Sequence, residues 1–303
     1  MPDAVSLLEA VSRVAPLGFR FRDELSGLGV GDGLAVSVRP ASSAAPAPAA
    51  STSPSGVFAF HALPGLVARP PPPAHPRLPV QFGEGDGAYW AGLPPPVTFT
   101  IDVADPWGRF LPCSFQATAP SRGLFLPPCV PLSPPGSPPG IDDAIPLFSA
   151  AARVVPGPVA VVRAELWDPV AAAPAAWALV EARLGGGPTF RGVADADGRL
   201  AIFLPYPAPD DPFNSPPASL VPGLGPPLTA QEWPLELAAH YARQAPVPAA
   251  PDLCTVLGQP PAALWGRYAG AVPLAGLTVR FGRELVVRSD DTDPPAGSVR
   301  VTA

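Results

Sequence analysis

Lysine is absent, and all 19 basic residues are arginine. Charged residues of both signs make up only 15% of the chain, against roughly a quarter in an average soluble domain. The net charge of −6 and pI near 5.0 leave no basic stripe on which phosphates would release counterions, so nucleic-acid binding is not expected. Long apolar runs are missing too. No stretch approaches the roughly 20 apolar residues that span a bilayer, and the N-terminus shows neither a basic leader nor a signal-like apolar stretch. No membrane insertion is expected, and the cytoplasm is the expected compartment.

Cysteine and histidine are also scarce. Cys113, Cys129 and Cys254 are odd in number, far apart and free of any Cys-x-x-Cys spacing. That argues against a zinc knuckle or a disulfide framework, and buried inert thiols are expected instead. His61, His75 and His240 are isolated, with no Ser, Cys or second His at a spacing that suggests a triad or a metal site. Neither a cofactor nor catalysis is expected.

What the chain does have is apolar residues, at 47% of its 303 positions, together with 50 prolines and 29 glycines. The length makes two modules the default. A surface this poor in charge points to stable contacts with other subunits. Proline and alanine crowd residues 40–54, 70–79, 127–140, 205–227 and 245–261, whereas the intervening segments alternate in the manner of strands. Because proline cannot donate to a sheet ladder, this pattern reads as short strands joined by long loops. The one helix candidate is Asp3 to Val14, where Asp3 can cap the start and Val5, Leu8 and Val11 recur at helical spacing.

The two halves repeat a set of features in order. Phe19 to Arg22 reads as a strand that ends in an acidic turn at Asp23, followed by a Gly-rich loop and the strand Leu34 to Val38. In the second half Val161 to Leu166 leads to Asp168, then an Ala/Pro loop, then Trp177 to Ala182. Next come SPSGVFAFHALPGL at 53–66 and DADGRLAIFLPYP at 195–207, each passing from a turn glycine, Gly56 or Gly198, into an alternating strand. A third strand follows each, Val97 to Val103 and Trp233 to Tyr241. Alternation places Phe58 and Phe60 on one face, and Leu200 and Ile202 on the corresponding face, which a second sheet must cover. The segments Leu277 to Phe281, Glu284 to Arg288 and Ser298 to Thr302 read as further strands that complete the second unit or pair with a partner chain.

The string Asp195 to Pro205, with a strand ending in Asp168 before it, resembles the carboxypeptidase-regulatory-like module. This resemblance covers most of 16–120 and 159–245 and implies an all-β fold of two tandem transthyretin-like/Ig-like β-sandwiches with long Pro-rich loops. The expected boundaries are an N-terminal helix or arm at 1–15, a first sandwich at 16–120 and a Pro-rich linker at 121–158. A second sandwich at 159–248 and C-terminal strands at 249–303 complete the chain. The module carries no chemistry, and His61-Ala-Leu-Pro64 does not supply the His-x-x-Glu of a carboxypeptidase zinc domain. A longer ordered set, SGVFAFHALPGL, DPWGRFLPCSF, IPLFSAAARVVPGPVAVVRAELWD, AAWALVEARL and RFGRELVVR, resembles a family encoded beside phage-tail-like contractile injection systems. That implies a non-enzymatic structural or adaptor subunit in a baseplate, collar, cap or sheath-associated position. Its partners would be sheath, tube, baseplate or cap proteins, in a particle released from the cell or docked on a membrane.

Acidic pairs are the remaining chemical candidates. Asp195-x-Asp197-Gly198 lacks the bidentate Glu of a calcium loop and reads as a hairpin turn. Asp290-Asp291-x-Asp293, followed by Pro294 and Pro295, reads as a solvated loop, as do Asp142-Asp143 and Asp210-Asp211. Of six tryptophans, Trp177 and Trp233 fall in expected strands and read as core. Trp90 and Trp107 lie beside glycines in loops and, with Trp265, are the candidate partner contacts. The alternative reading of these tryptophans is a carbohydrate- or surface-recognition module.

Overall fold

A computed structural model describes residues 15–40, 48–66, 95–130, 144–154, 157–207, 230–293 and 295–303. The helix expected over Asp3 to Val14 lies outside these residues, as do Trp90, His75, Asp142-Asp143 and Asp210-Asp211. Within them the chain is all-β apart from one short helix.

The first half contains β1 (Leu17–Phe19), β2 (Phe21–Asp23), β3 (Gly29–Val30), β4 (Ala35–Pro40), β5 (Ser51–Thr52), β6 (Phe58–Phe60), β7 (Val97–Ala104), β8 (Cys113–Ala119) and β9 (Ile145–Leu147). These form three sheets of three strands, ordered β1–β6–β5, β3–β2–β9 and β4–β7–β8. Strands of two or three residues are not stable alone, and here phenylalanine holds them together. The period of two puts Phe19 and Phe21 on one face with Phe58 and Phe60, all four buried. The Phe19 ring meets Phe115 of β8 edge-on at 5.2 Å, and Phe21 meets Phe58 in the same way at 5.2 Å. Burying each ring is worth about 1.5–3 kcal/mol, so the cluster outweighs the weak ladders.

The second half contains β10 (Val159–Asp168), β11 (Ala173–Pro174), β12 (Leu179–Leu184), β13 (Thr189–Val193), β14 (Arg199–Pro205) and β15 (Glu232–His240). Then come α1 (Leu253–Leu257), β16 (Pro261–Arg267), β17 (Val272–Pro273), β18 (Leu277–Arg280), β19 (Leu285–Val287) and β20 (Val299–Thr302). One sheet runs β11–β10–β20–β16–β15–β12–β13, with β14 and β19 also on β10, β17 on β16 and β18 on β15. Strand β16 splices it, since Pro261 and Ala262 pair with β15 while Ala263 to Trp265 pair with β20. The C-terminal strands therefore pair within the chain. At the Asp-Gly turn before β14, Gly198 has φ +77°, and a Cβ there would lie 2.4 Å from the Leu166 carbonyl oxygen, so no other residue fits.

Three features differ from the sequence reading, and all come from the two halves packing on each other. Strand β14 is buried on both faces. Leu200 and Ile202 face their own core, while Ala201 and Phe203 are covered together with Val161 and Leu25 of the first half. Trp177 is core, but it precedes β12 in a left-handed conformation, φ +62°. That costs a non-glycine residue roughly 1–2 kcal/mol and persists only where the surroundings fix it. Here the indole Nε1 donates to the Pro248 carbonyl at 3.2 Å, Gln259 Nε2 donates to the Trp177 carbonyl at 2.7 Å, and the ring packs into the first half's core with Leu253 and Val256.

The third difference corrects the cysteine reading. Cys129 and Cys254 form a disulfide across a sequence separation of 125, and only Cys113 matches the expected buried free thiol. The bridge ties the loop after β8 to α1, whose N-cap Asp252 accepts Thr255 N at 2.8 Å. Beside it, Ser114 N of β8 donates to the Pro251 carbonyl at 2.8 Å. Ion pairs reinforce the join: Arg191 of β13 meets Glu24 at 2.6 Å, and Arg153 meets Asp23 at 2.8 Å with both side chains nearly buried. Burial opposes ionisation of Asp23, but the Arg153 guanidinium and the surrounding donors outweigh it and hold the carboxyl below its usual range.

Closing a loop of this length removes about 4–5 kcal/mol of unfolded-state freedom on the chain-entropy account. Urea unfolding of the Cys129→Ser/Cys254→Ser double variant is expected to show a loss of that order. The oxidised wild type, once unfolded, is expected to titrate a single thiol, and three thiols without reductant would contradict the bridge.

Candidate functional site

Trp107 sits at the β7–β8 turn with 63% of its surface exposed. The turn is built on Asp105, whose fully buried carboxylate accepts Arg109 N at 2.6 Å, Phe110 N at 3.1 Å and Trp107 N at 3.3 Å. Arg109 Nε adds a charge-assisted bond at 3.1 Å. Burial works against ionisation of Asp105, yet these donors prevail and keep its carboxyl below the usual range. The Arg109 guanidinium lies 4.5 Å from the Trp107 ring centroid, a cation–π stack that occupies one face of the indole. Gly33, at φ +71°, passes so close that a Cβ would lie 2.7 Å from both the ring and Arg109. The exposed ring is therefore held in place between Arg109 and the Gly33 backbone.

Trp265 stands apart from this turn. It is half-buried on β16, donates Nε1 to Thr302 Oγ1 at 2.9 Å and meets Tyr268 edge-on at 6.3 Å. Trp233, expected in the core, is half-buried on β15, 5.3 Å from Tyr206.

The polar candidates are used internally. Asp195 accepts Asp197 N at 2.9 Å and Arg199 N at 2.8 Å, as a hairpin turn requires. Asp291 departs from the solvated loop expected of its cluster. Its side chain is 6% exposed, accepts Tyr268 N at 3.0 Å and faces the buried Arg300 at 3.6 Å. His61 is exposed, and His240 stands 3.9 Å from Glu181. Among the described residues no group of three His, Cys, Asp or Glu is placed to hold a metal ion. Burial, with Asp252 and Asp102 nearby, pushes the Cys113 thiol up to about 12, so it is not a nucleophile at neutral pH.

Two clefts remain. The larger, about 490 Å³, lies over the outer face of β10, β14 and β19 and contains Arg163, Arg199, Arg288 and Glu165. Two of its three guanidiniums are neutralised from within: Arg163 by Glu284 at 3.0 Å, and Arg199 by Asp195 at 3.0 Å and by Asp197. The smaller, about 350 Å³, is lined by Arg20, Phe21, Val30, Gly31, Ser55 and Gly56 among others, and Arg20 is its one charged residue. Arg20 Nε is buried and has no hydrogen-bond partner among the described residues, a state that costs about 1–3 kcal/mol. The sequence reading passed over Arg20. The Phe-Arg-Phe-Arg run makes Arg20 and Arg22 look alike, and only the fold shows that Arg22 meets Glu24 at 2.8 Å.

No family model, curated protein or solved structure matches the chain.

The placement of the tryptophans separates a surface role from a packing role. Trp107→Ala, which removes the stack with Arg109, is expected to cost no more than about 1 kcal/mol, whereas Trp177→Ala is expected to cost about 3–5 kcal/mol. Denaturant unfolding of the two variants checks this, and the opposite order would contradict the assignment.

Proposed function

We propose that the protein is a non-enzymatic structural subunit built of two transthyretin-like sandwich modules, which works by packing against other proteins. The observation that carries this reading is the β16–β17 hairpin, Pro261 to Leu277. Its one charged residue is Arg267, and its surface consists of small and apolar side chains, with Tyr268 40% and Val272 48% exposed. A sparsely charged, aromatic-bearing surface of this kind favours a protein contact, since aromatic anchors dominate binding energy where water is excluded. The assembly is the phage-tail-like contractile injection particle named by the motif resemblance, with the chain in a baseplate, collar, cap or sheath-associated position. No described helix is long and apolar enough to cross a membrane. The Cys129–Cys254 bridge suits a particle that meets oxidising surroundings after release from the cell.

Recognition of a carbohydrate or a cell surface is the second reading, favoured by the exposure of Trp107. The two separate by mutation. Tyr268→Asp/Val272→Asp is expected to abolish co-purification with sheath or baseplate proteins while leaving unfolding within about 0.5 kcal/mol of wild type. If Trp107→Ala abolishes binding and the hairpin variant does not, the second reading stands. Particles of normal composition after deletion of the gene would overturn the first.

A further inference from the structure

Arg20 joins β1 to β2 at the floor of the 350 Å³ cleft, and its position there is unlike that of the partnered arginines. Arg22, Arg39, Arg109, Arg153, Arg163, Arg191, Arg199, Arg280 and Arg300 each meet a carboxylate within 3.6 Å. Among the described residues none pairs with Arg20, although its Nε is buried. The other lining groups are neutral: the Phe21 and Val30 side chains, the Ser55 hydroxyl, and the bare backbones of Gly31 and Gly56. Those two glycines approach so closely that a Cβ on Gly31 would lie 3.1 Å from Gly56 Cα, so the wall has no room for a larger residue. A partly buried guanidinium in a cleft whose described lining is otherwise neutral attracts an oxyanion, because the charge-assisted bond that its terminal nitrogens can make is strengthened by the low local polarity.

We propose that this cleft is a carboxylate-binding site, in which a single carboxylate pairs with Arg20 and the Ser55 side supplies polar contact. The charge count selects the ligand. One guanidinium balances one monoanion, whereas a doubly charged phosphate would leave a negative charge uncompensated against apolar walls. The volume fits a small organic acid or the side chain of an acidic peptide segment. The site is independent of the hairpin surface, so either assignment can fail without the other.

The test uses the full oxidised chain labelled with heavy nitrogen in arginine, which puts a reporter on the orphan donor itself. The Arg20 Nε–H resonance is identified by its absence from R20M and from R20K. Propionate represents the free acid, acetyl-Gly-Glu-Gly-amide an acidic segment, propionamide the neutral isostere, and inorganic phosphate the dianion. Saturable movement of the Arg20 resonance with propionate or with the peptide, and not with propionamide, is expected, and the tighter of the two acids identifies the source. Affinity, read for the variants by titration calorimetry because R20M lacks the reporter, is expected to fall about tenfold or more in R20M, and to stay at the wild-type value in R288M, which alters the larger cleft. Because no described residue pairs with Arg20, R20M is expected to melt at or above the wild-type temperature. An Arg20 resonance that stays still with both acids, moves equally with propionamide, or responds to phosphate more tightly than to either acid overturns the proposal. If R20M and R20K both fail to fold, calorimetric titration of the wild type decides, and heats that do not separate either acid from propionamide overturn the proposal.

Discussion

The stretch from Pro248 to Gln259 is where the two halves of the chain become one body. Within a dozen residues it accepts the Trp177 indole, receives Ser114 N of β8, carries one half of the disulfide and returns Gln259 to the Trp177 carbonyl. Each contact fixes another. Gln259 and Pro248 hold Trp177 in a left-handed backbone that it would not adopt alone, and the ring so placed fills the space between Leu253, Val256 and the first half's core. The ion pairs at Asp23 and Glu24 lie on β2 and the turn that follows it, and burial makes their loss costly. A chain with short strands and only 15% charged residues thus obtains a fixed arrangement from a small number of nonlocal contacts.

What the sequence made legible was local. Proline placement and alternation mark an all-β chain. Asp23 and Asp168 read as acidic turns, and each accepts downstream donors: Leu25 N at 3.0 Å for Asp23, and Val170 N and Ala171 N at 2.9 Å for Asp168. What escaped was nonlocal. Nothing near Cys129 marks Cys254 as its partner 125 residues away, and an odd count of distant cysteines without Cys-x-x-Cys spacing argues against a bridge. The second buried face of β14 depends on Leu25 of the other half. Helix α1 is five residues long, too short for a periodic signal, although Asp252 and Gly258 bracket it as cap and stop.

The candidate site was harder to read still. Chemistry-bearing residue types were judged by spacing, and His61, His240 and the acidic clusters did not assemble. The groups that stand out physically do so by what surrounds them: Trp107 because Asp105, Arg109 and Gly33 hold an exposed ring in place, and Arg20 because the other described residues lining its cleft carry no charge. Both belong to the first half, whereas the sparsely charged hairpin belongs to the second. A fixed join between the halves is what would let two such surfaces be presented to partners in one geometry.

That join is open to calorimetry. Because the core of the first half includes Trp177, Leu253 and Val256 of the second, the oxidised chain is expected to unfold in a single transition whose calorimetric and van't Hoff enthalpies agree. Two resolved transitions, each carrying the enthalpy of one half, would show that the halves unfold independently and would contradict the account.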